Sequence, residues 1–216
     1  MKWLFFLLPV VLLAQSPAPL NADYRFHDGV YLSHASLLAD QPDVDWADIA
    51  GEMVQLTEDR RVQIDAYGYK SGQDHGRPYA IVLDGAPYLF VGADARRGFY
   101  EFAGLRSPGR LATVTFDTTV HLRRIMKAYN PATGNPFRQG WVERDQRRTV
   151  TRVVDMQTGV RRPLEPDVVA NLLAGEADLL RAVRQTTAAD TAKLLRAVEI
   201  YNERHPLLLP VTTVPR

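Results

Sequence analysis

The amino-acid sequence predicts an α+β fold, with an antiparallel β-sheet meander over residues 24–164 and a helical region over residues 166–205. The first observation behind this prediction is a series of short apolar, β-forming segments separated by residues typical of turns. The second is that apolar residues recur with helical spacing after Pro166. The predicted parts of the mature chain are a β-rich domain (23–164), a helical part packed on it (165–206) and a tail (207–216).

The first residues, Met1–Ala14, have the pattern of a secretory signal peptide, with a positive charge at Lys2, an apolar stretch and a small residue at the end. The apolar stretch is shorter than the roughly 20 residues that a membrane-spanning helix needs. We expect cleavage after Ala14, with Ala22 as the second-best site. The protein is then secreted or periplasmic and has no transmembrane segment after cleavage. The alternative interpretation is a buried N-terminal core helix.

Basic and acidic residues are balanced, with 26 Lys and Arg against 25 Asp and Glu, and removal of Lys2 brings the two counts level. A nucleic-acid-binding protein typically has a basic excess, so no nucleic acid is expected as a partner. Residues 40–59 nevertheless contain seven acids and no base, whereas residues 138–162 contain seven arginines and three acids. Two interpretations stay open, because these segments either neutralise one another or form separate solvated surfaces.

The sequence contains no cysteine. Disulfide bonds, a thioether lipid anchor and cysteine-ligated metal ions are therefore excluded. The mature chain of roughly 200 residues is long enough to bury about 70% of its unfolded surface. We expect packing alone to hold the protein together.

The N-terminal half is predicted to contain strands and one short helix. Tyr24–Leu32 alternates apolar and polar residues around a turn, as half-buried strands do. Ser33 is a suitable N-cap for a helical turn at His34–Asp40. Met53–Leu56 and Val62–Tyr69 also alternate, and they predict two strands joined by a turn.

Four apolar runs form the predicted centre of the meander: Tyr79–Leu83, Tyr88–Val91, Phe99–Phe102 and Leu111–Phe116. The first two are joined by Asp84-Gly85, a pair that supplies the positive φ angles of a tight hairpin turn. Val120–Tyr129 fits either a helix or a strand, and we interpret it as a strand because its neighbours are β-forming. Thr149–Asp155 and Val160–Leu164 predict a second hairpin.

Three helices are predicted in the C-terminal region: Pro166–Ala174, Glu176–Gln185 and Ala188–Arg204. Proline at a first helical position removes only an N–H that has no partner in the helix, and Asp167 complements the helix dipole. Each helix has one apolar face, so we expect all three to pack on the β-rich domain.

One segment has the composition of a contact surface. Asn130–Gly140 contains two Asn-Pro pairs and two glycines, which predicts a loop. Aromatic side chains and planar hydrogen-bonding groups occur together around it, as they do in binding surfaces. The predicted contact residues are Tyr129, Asn135, Phe137, Arg138, Gln139 and Trp141. The alternative is that Phe137 and Trp141 only pin a long loop to the sheet.

No catalytic residue, metal site or cofactor is predicted. The sequence lacks G-x-S-x-G, H-E-x-x-H, G-x-G-x-x-G and the phosphate-binding loop of nucleotide hydrolases. The five histidines are scattered, and adjacent residues such as Asp74 and His75 point apart, so they do not form a dyad. The acidic run Asp43-x-Asp45-x-x-Asp48 lacks the glycine and the closing Glu of a calcium loop.

Several short motifs follow the signal pattern: G-V-Y-L-S (29–33), D-G-A-P-Y (84–88), N-P-x-T-G-N-P-F (130–137), D-x-x-T-G (155–159) and Y-N-E-R-H-P (201–206). In these motifs the chain resembles uncharacterised secreted proteins of Bacteroidota-type bacteria, over most of the mature length. The resemblance implies export and carries no activity.

Two functions are compatible with the sequence. The favoured one is a non-enzymatic binding or scaffolding domain that contacts an unknown protein or glycan at the cell envelope. The alternative is an envelope hydrolase whose active site has no common signature. The absence of the usual catalytic motifs favours the binding domain.

Overall fold

The computed structural model describes residues 17–94 and 99–210, apart from the side chain of Phe137, so the predicted signal peptide (1–14) lies outside the described residues. The strands are β1 (Ala18–Pro19), β2 (Gly29–Tyr31), β3 (Ile49–Leu56), β4 (Arg61–Tyr69), β5 (Ala80–Leu83), β6 (Ala86–Asp94), β7 (Phe99–Gly104), β8 (Leu111–Tyr129), β9 (Pro136–Asp155), β10 (Arg161–Pro163) and β11 (Leu208–Leu209). The helices are α1 (His34–Leu38), α2 (Pro166–Leu172), α3 (Ala177–Arg184) and α4 (Thr191–Arg204), with a 3₁₀ turn at Trp46–Asp48.

The largest sheet has six antiparallel strands in the order β2-β5-β6-β7-β4-β3. The turn between β5 and β6 is Asp84-Gly85, whose φ angles are +52° and +73°. Two consecutive positive φ angles are those of the tight hairpin turn that the sequence predicts. Local turn chemistry therefore determines this pair of strands.

A second, three-stranded sheet has the order β10-β9-β8. Strands β8 and β9 form one long antiparallel hairpin, in which Leu111 lies opposite Asp155 at one end and Tyr129 lies opposite Pro136 at the other. Val120–Tyr129 is part of β8, so the strand interpretation of this segment is confirmed. The short strands β1 and β11 pair with each other near the two ends of the described chain.

The fold-class prediction of one meander followed by helices is wrong. Strand β8 leaves the meander for a separate sheet, β4 takes its place beside β7, and helical turns also occur at His34–Leu38 and Trp46–Asp48. The helical C-terminal region is supported only in part, because β11 follows α4 and pairs with β1. The physical reason is that turn residues determine which neighbouring strands pair, whereas long-range packing determines which hairpins share a sheet.

Strands β8 and β9 are sandwiched at their base. Ala112 and Val114 point towards the six-stranded sheet and pack in one apolar cluster with Tyr31 and Leu89. Residues of opposite parity point to the other side, where Leu111 belongs to a second cluster with residues of α2, α3 and α4. Alternate residues of a strand face opposite sides of a sheet, so one pair of strands contributes to both clusters.

Asn202 of α4 fixes the start of β8 by hydrogen bonds to backbone groups. Its Nδ2 donates to the carbonyl oxygens of Leu111 (2.9 Å) and Ser107 (3.3 Å), and its Oδ1 accepts from the Leu111 N–H (2.9 Å). A Cβ atom added at Gly109 would lie 2.4 Å from Asn202 Cγ. The Asn202 side chain therefore packs against the backbone of Gly109 and fixes the position of α4 relative to the start of β8.

Candidate functional site

The distal parts of β8 and β9 form a two-stranded ribbon, which we define as residues 118–148. From Arg123 to Thr149 every described side chain is exposed, whereas Leu111–Val114 at the base are buried. Twelve paired positions at about 3.3 Å per residue give the ribbon a length of roughly 40 Å. The described side chains along this part of the two strands therefore do not contribute to a hydrophobic core.

The tip of the ribbon is a compact turn. The Oδ1 atom of Asn130 accepts a hydrogen bond from the Ala132 N–H (2.9 Å), and the Asn130 carbonyl accepts from the Gly134 N–H (2.8 Å). Gly134 has a φ of +66°, which glycine adopts without strain. Because β9 begins at Pro136, the predicted loop Asn130–Gly140 is shorter than the sequence indicates, and its second half is strand.

Most of the predicted contact residues lie at the distal end of the ribbon. Tyr129 is 56% exposed and Trp141 is 58% exposed. Asn135, Arg138 and Gln139 are also exposed, whereas the side chain of Phe137 lies outside what the structure describes. Trp141 therefore does not pin the ribbon to the body of the protein.

These residues do not form one patch, because the ribbon has two faces. Directly opposed residues of an antiparallel pair share a face, and successive residues alternate between faces. We call one face the mixed face; it carries Thr119, His121, Arg123, Ile125 and Lys127 of β8 with Gln139, Trp141, Glu143, Asp145 and Arg147 of β9. We call the other the arginine face; it carries Thr118, Val120, Leu122, Arg124, Met126 and Ala128 of β8 with Arg138, Gly140, Val142, Arg144, Gln146 and Arg148 of β9.

The mixed face is internally paired. The guanidinium of Arg123 lies 4.6 Å from the centre of the Trp141 ring, a cation–π contact. His121 Nδ1 pairs with an Asp145 carboxylate oxygen across the strands. Contacts of this kind stabilise a ribbon beside which residues 17–94 and 99–210 place no further strand.

The arginine face has four arginines and no acid. Among the described residues, none of these four arginines forms an ion pair. A groove of about 550 Å³ lies along the ribbon. Six arginine-face residues line it (Leu122, Arg124, Met126, Val142, Arg144 and Gln146), together with Ile125, Asp145 and Arg147 of the mixed face. Positive charge and apolar surface are thus combined on one side of the ribbon.

The ribbon also concentrates exposed apolar residues. Nine large apolar side chains are exposed among the described residues, and five of them belong to the ribbon: Ile125, Met126, Tyr129, Trp141 and Val142. Scattered single residues of this type are ordinary on protein surfaces, whereas these five lie within one ribbon, Ile125 and Trp141 on the mixed face and Met126 and Val142 on the arginine face.

An ionic network around the buried Arg61 fixes the base of the ribbon. Arg61 of β4 is only 8% exposed, and it donates to Asp117 Oδ2 (3.0 Å) and to a Glu101 carboxylate oxygen. Asp117 also accepts from Thr149 Oγ1 (2.7 Å) and Arg147 Nη2 (2.9 Å). The Thr149 hydrogen bond, followed by the charges of Arg147 and Arg61, lowers the pKa of the Asp117 carboxyl.

A second polar cluster, around Asp40, escaped sequence reasoning. Asp40 is 2% exposed and accepts from the His27 N–H (2.8 Å) and the Tyr31 hydroxyl (3.1 Å), while His27 Nδ1 lies 3.0 Å from its other oxygen. Burial and Asp40 together raise the pKa of Tyr31. The carboxylate ties α1 to the residues before β2, which is a structural role. Thirteen positions separate His27 from Asp40, so no local motif indicates this pair.

The Asp74-His75 pair makes separate contacts. Asp74 Oδ1 accepts from the Gly76 N–H (2.8 Å), and the His75 ring lies 4.7 Å from the Tyr69 ring. Within residues 17–94 and 99–210, no group of three or more His, Asp or Glu side chains is placed to hold a metal ion. The ribbon is therefore the most distinctive functional candidate in the described part of the chain.

We expect Asp117→Asn to lower the free energy of unfolding by about 1–3 kcal/mol at neutral pH, because Arg61 loses a charged acceptor in a buried position. A carboxyl with a lowered folded pKa stabilises the protein above its unfolded pKa of about 3.9, and this stabilisation is lost as the pH falls through the folded value. The difference between wild type and variant should therefore shrink below about pH 4. Urea unfolding across pH measures it, with Asp145→Asn on the mixed face as the control. A difference that is independent of pH would contradict this role.

Trp141→Ala should lower the free energy of unfolding by less than about 1 kcal/mol, since it removes an exposed cation–π contact and an exposed cross-strand contact with Ile125. Phe102→Ala, which removes a fully buried ring, should cost about 3–5 kcal/mol. Denaturant midpoints of the two variants test the difference. Similar losses in both would show that Trp141 anchors the fold.

No helix among the described residues is long and apolar enough to cross a membrane. Comparisons of the chain with protein families, with curated proteins and with solved structures found no match.

Proposed function

We propose that this protein is an exported, non-enzymatic binding protein that contacts the cell envelope through the ribbon. The observation that carries the proposal is the exposure, along roughly 40 Å of ribbon, of large apolar side chains and of four arginines that form no ion pair with any described residue. Apolar surface left in water costs about 25 cal/mol per Å², so a partner that covers it gains binding energy. Hydrogen bonds of Asp117 with Arg61, Arg147 and Thr149 hold the base of this element.

The ionic network at the base supports the same proposal. Arg61 and Asp117 join β4 of the six-stranded sheet to β8, so the ribbon leaves the body from a fixed point. A contact element held at its base loses less conformational freedom on binding than a free loop does. The ribbon is thus pre-organised at its origin and exposed along its length.

Export belongs to the proposal, and the packing near the N-terminus bears on the choice between the two cleavage sites. Leu20 is 4% exposed, and its N–H donates to the Leu207 carbonyl (2.7 Å) beside the β1–β11 pair. Cleavage after Ala22 would remove β1 and Leu20, whereas cleavage after Ala14 keeps both. We therefore propose cleavage after Ala14 and a secreted or periplasmic location, in line with the resemblance to exported proteins.

Intact-mass measurement of protein recovered from the periplasm or the medium should give a chain that begins at Gln15. A chain that begins at Asp23 would contradict the structural role of β1 and Leu20. A chain that retains Met1–Ala14 would contradict the cleavable signal.

The contact role of the ribbon is tested by co-sedimentation of the purified mature protein with washed cell envelopes. Ile125→Ser/Met126→Ser replaces adjacent exposed residues, one on each face of the ribbon, and should lower envelope binding at least about fivefold, roughly 1 kcal/mol. Met53→Ser/Val54→Ser is the matched control, since these adjacent β3 residues are similarly exposed. Circular dichroism confirms that both variants fold. Equal binding by the two variants would contradict the proposal.

A further inference from the structure

We propose that the arginine face of the ribbon binds the surface of an anionic lipid bilayer. This inference rests on the proposed function, because it names the partner of the same ribbon. In this arrangement the arginines contact the lipid phosphates. The apolar side chains of the same face enter the interfacial region between headgroups and acyl chains.

The distribution of charge indicates an extended anionic surface. Arg138, Arg144 and Arg148 lie on the same face of β9, and the first and last are separated by roughly 33 Å at strand geometry. Arg124 lies on β8 opposite Val142, between Arg138 and Arg144 along the ribbon. A single small anion contacts one of these positions at a time. A surface that carries many phosphates presents one to each of these positions, and basic residues are attracted to anionic bilayers in this way.

The apolar residues of the same face distinguish a bilayer from other polyanions. Met126 is 59% exposed and Val142 is 42% exposed, and both line the groove between the arginines. A hydrophilic polyanion such as nucleic acid satisfies the guanidinium groups but leaves these side chains in water. A lipid interface offers phosphate oxygens and hydrocarbon at adjacent depths, so it satisfies both kinds of side chain.

The mixed face provides the contrast within the same ribbon. It carries three basic side chains, Arg123, Lys127 and Arg147, but also Glu143 and Asp145. His121 pairs with Asp145, and Arg147 donates to Asp117, so much of its charge is neutralised locally. A ribbon that lies on an anionic surface therefore lowers its energy most with the arginine face turned towards the lipid.

The experiment measures co-sedimentation of the mature protein with phosphatidylcholine vesicles and with vesicles of equal parts phosphatidylcholine and phosphatidylglycerol. Wild type should bind the anionic vesicles, and added salt should weaken the binding. Arg124→Glu/Arg144→Glu should reduce binding at least about tenfold. Arg123→Glu/Lys127→Glu changes the net charge by the same amount on the mixed face and should retain binding within about threefold. Circular dichroism checks that both variants fold.

Three outcomes would overturn the inference. The first is the absence of binding to anionic vesicles, and the second is equal loss in the two charge-reversal variants, which would show a dependence on net charge alone. The third is binding of double-stranded DNA as tight as that of vesicles at the same phosphate concentration, which would identify a general polyanion surface. If the envelope assay still depends on Ile125 and Met126 while anionic vesicles do not bind, the contact role of the ribbon stands and only the lipid assignment fails.

Discussion

The position of the ribbon depends on one buried guanidinium group, that of Arg61. A buried cation without partners costs several kcal/mol, so Arg61 requires the carboxylates of Glu101 on β7 and Asp117 on β8. This requirement joins the two sheets at the point where the long hairpin leaves the core. Asp117 in turn holds Thr149 and Arg147 of β9, so both strands of the hairpin are fixed at the same level. Distal to this network, the described side chains from Arg123 to Thr149 are exposed.

The same pair of strands occupies two very different environments. At the base, Ala112 and Leu111 are buried on opposite faces, one against the six-stranded sheet and the other against the helices. Beyond Arg123 the described side chains are exposed on both faces. Asn202 and Arg61 hold the buried part from two directions, so the ribbon extends from a rigid origin.

Features that depend on neighbouring residues could be predicted from the sequence. The Asp84-Gly85 hairpin is present, and Ser33 caps α1 by accepting from the Ser36 N–H (3.0 Å). The partition into two sheets could not be predicted, because it depends on contacts between distant segments. At the candidate site, the sequence indicated the aromatic and polar residues but not their two faces. Asn130–Gly140 resembled a loop because of its prolines and glycines. Proline is nevertheless accepted as the first residue of a strand, and β9 begins at Pro136.

A two-stranded ribbon of this length poses a stability problem that its own side chains address. An isolated hairpin is only marginally stable in water, and its exposed edges invite pairing with other chains. The Asn130 turn closes the distal end, and the contact between Arg123 and Trp141 joins the strands across the mixed face. Arginines discourage edge-to-edge pairing by repulsion. None of these devices covers Met126 and Val142, whose exposed apolar surface is unfavourable in water. This apolar surface is therefore unfavourable for the isolated chain, and the proposed contact would remove it from water.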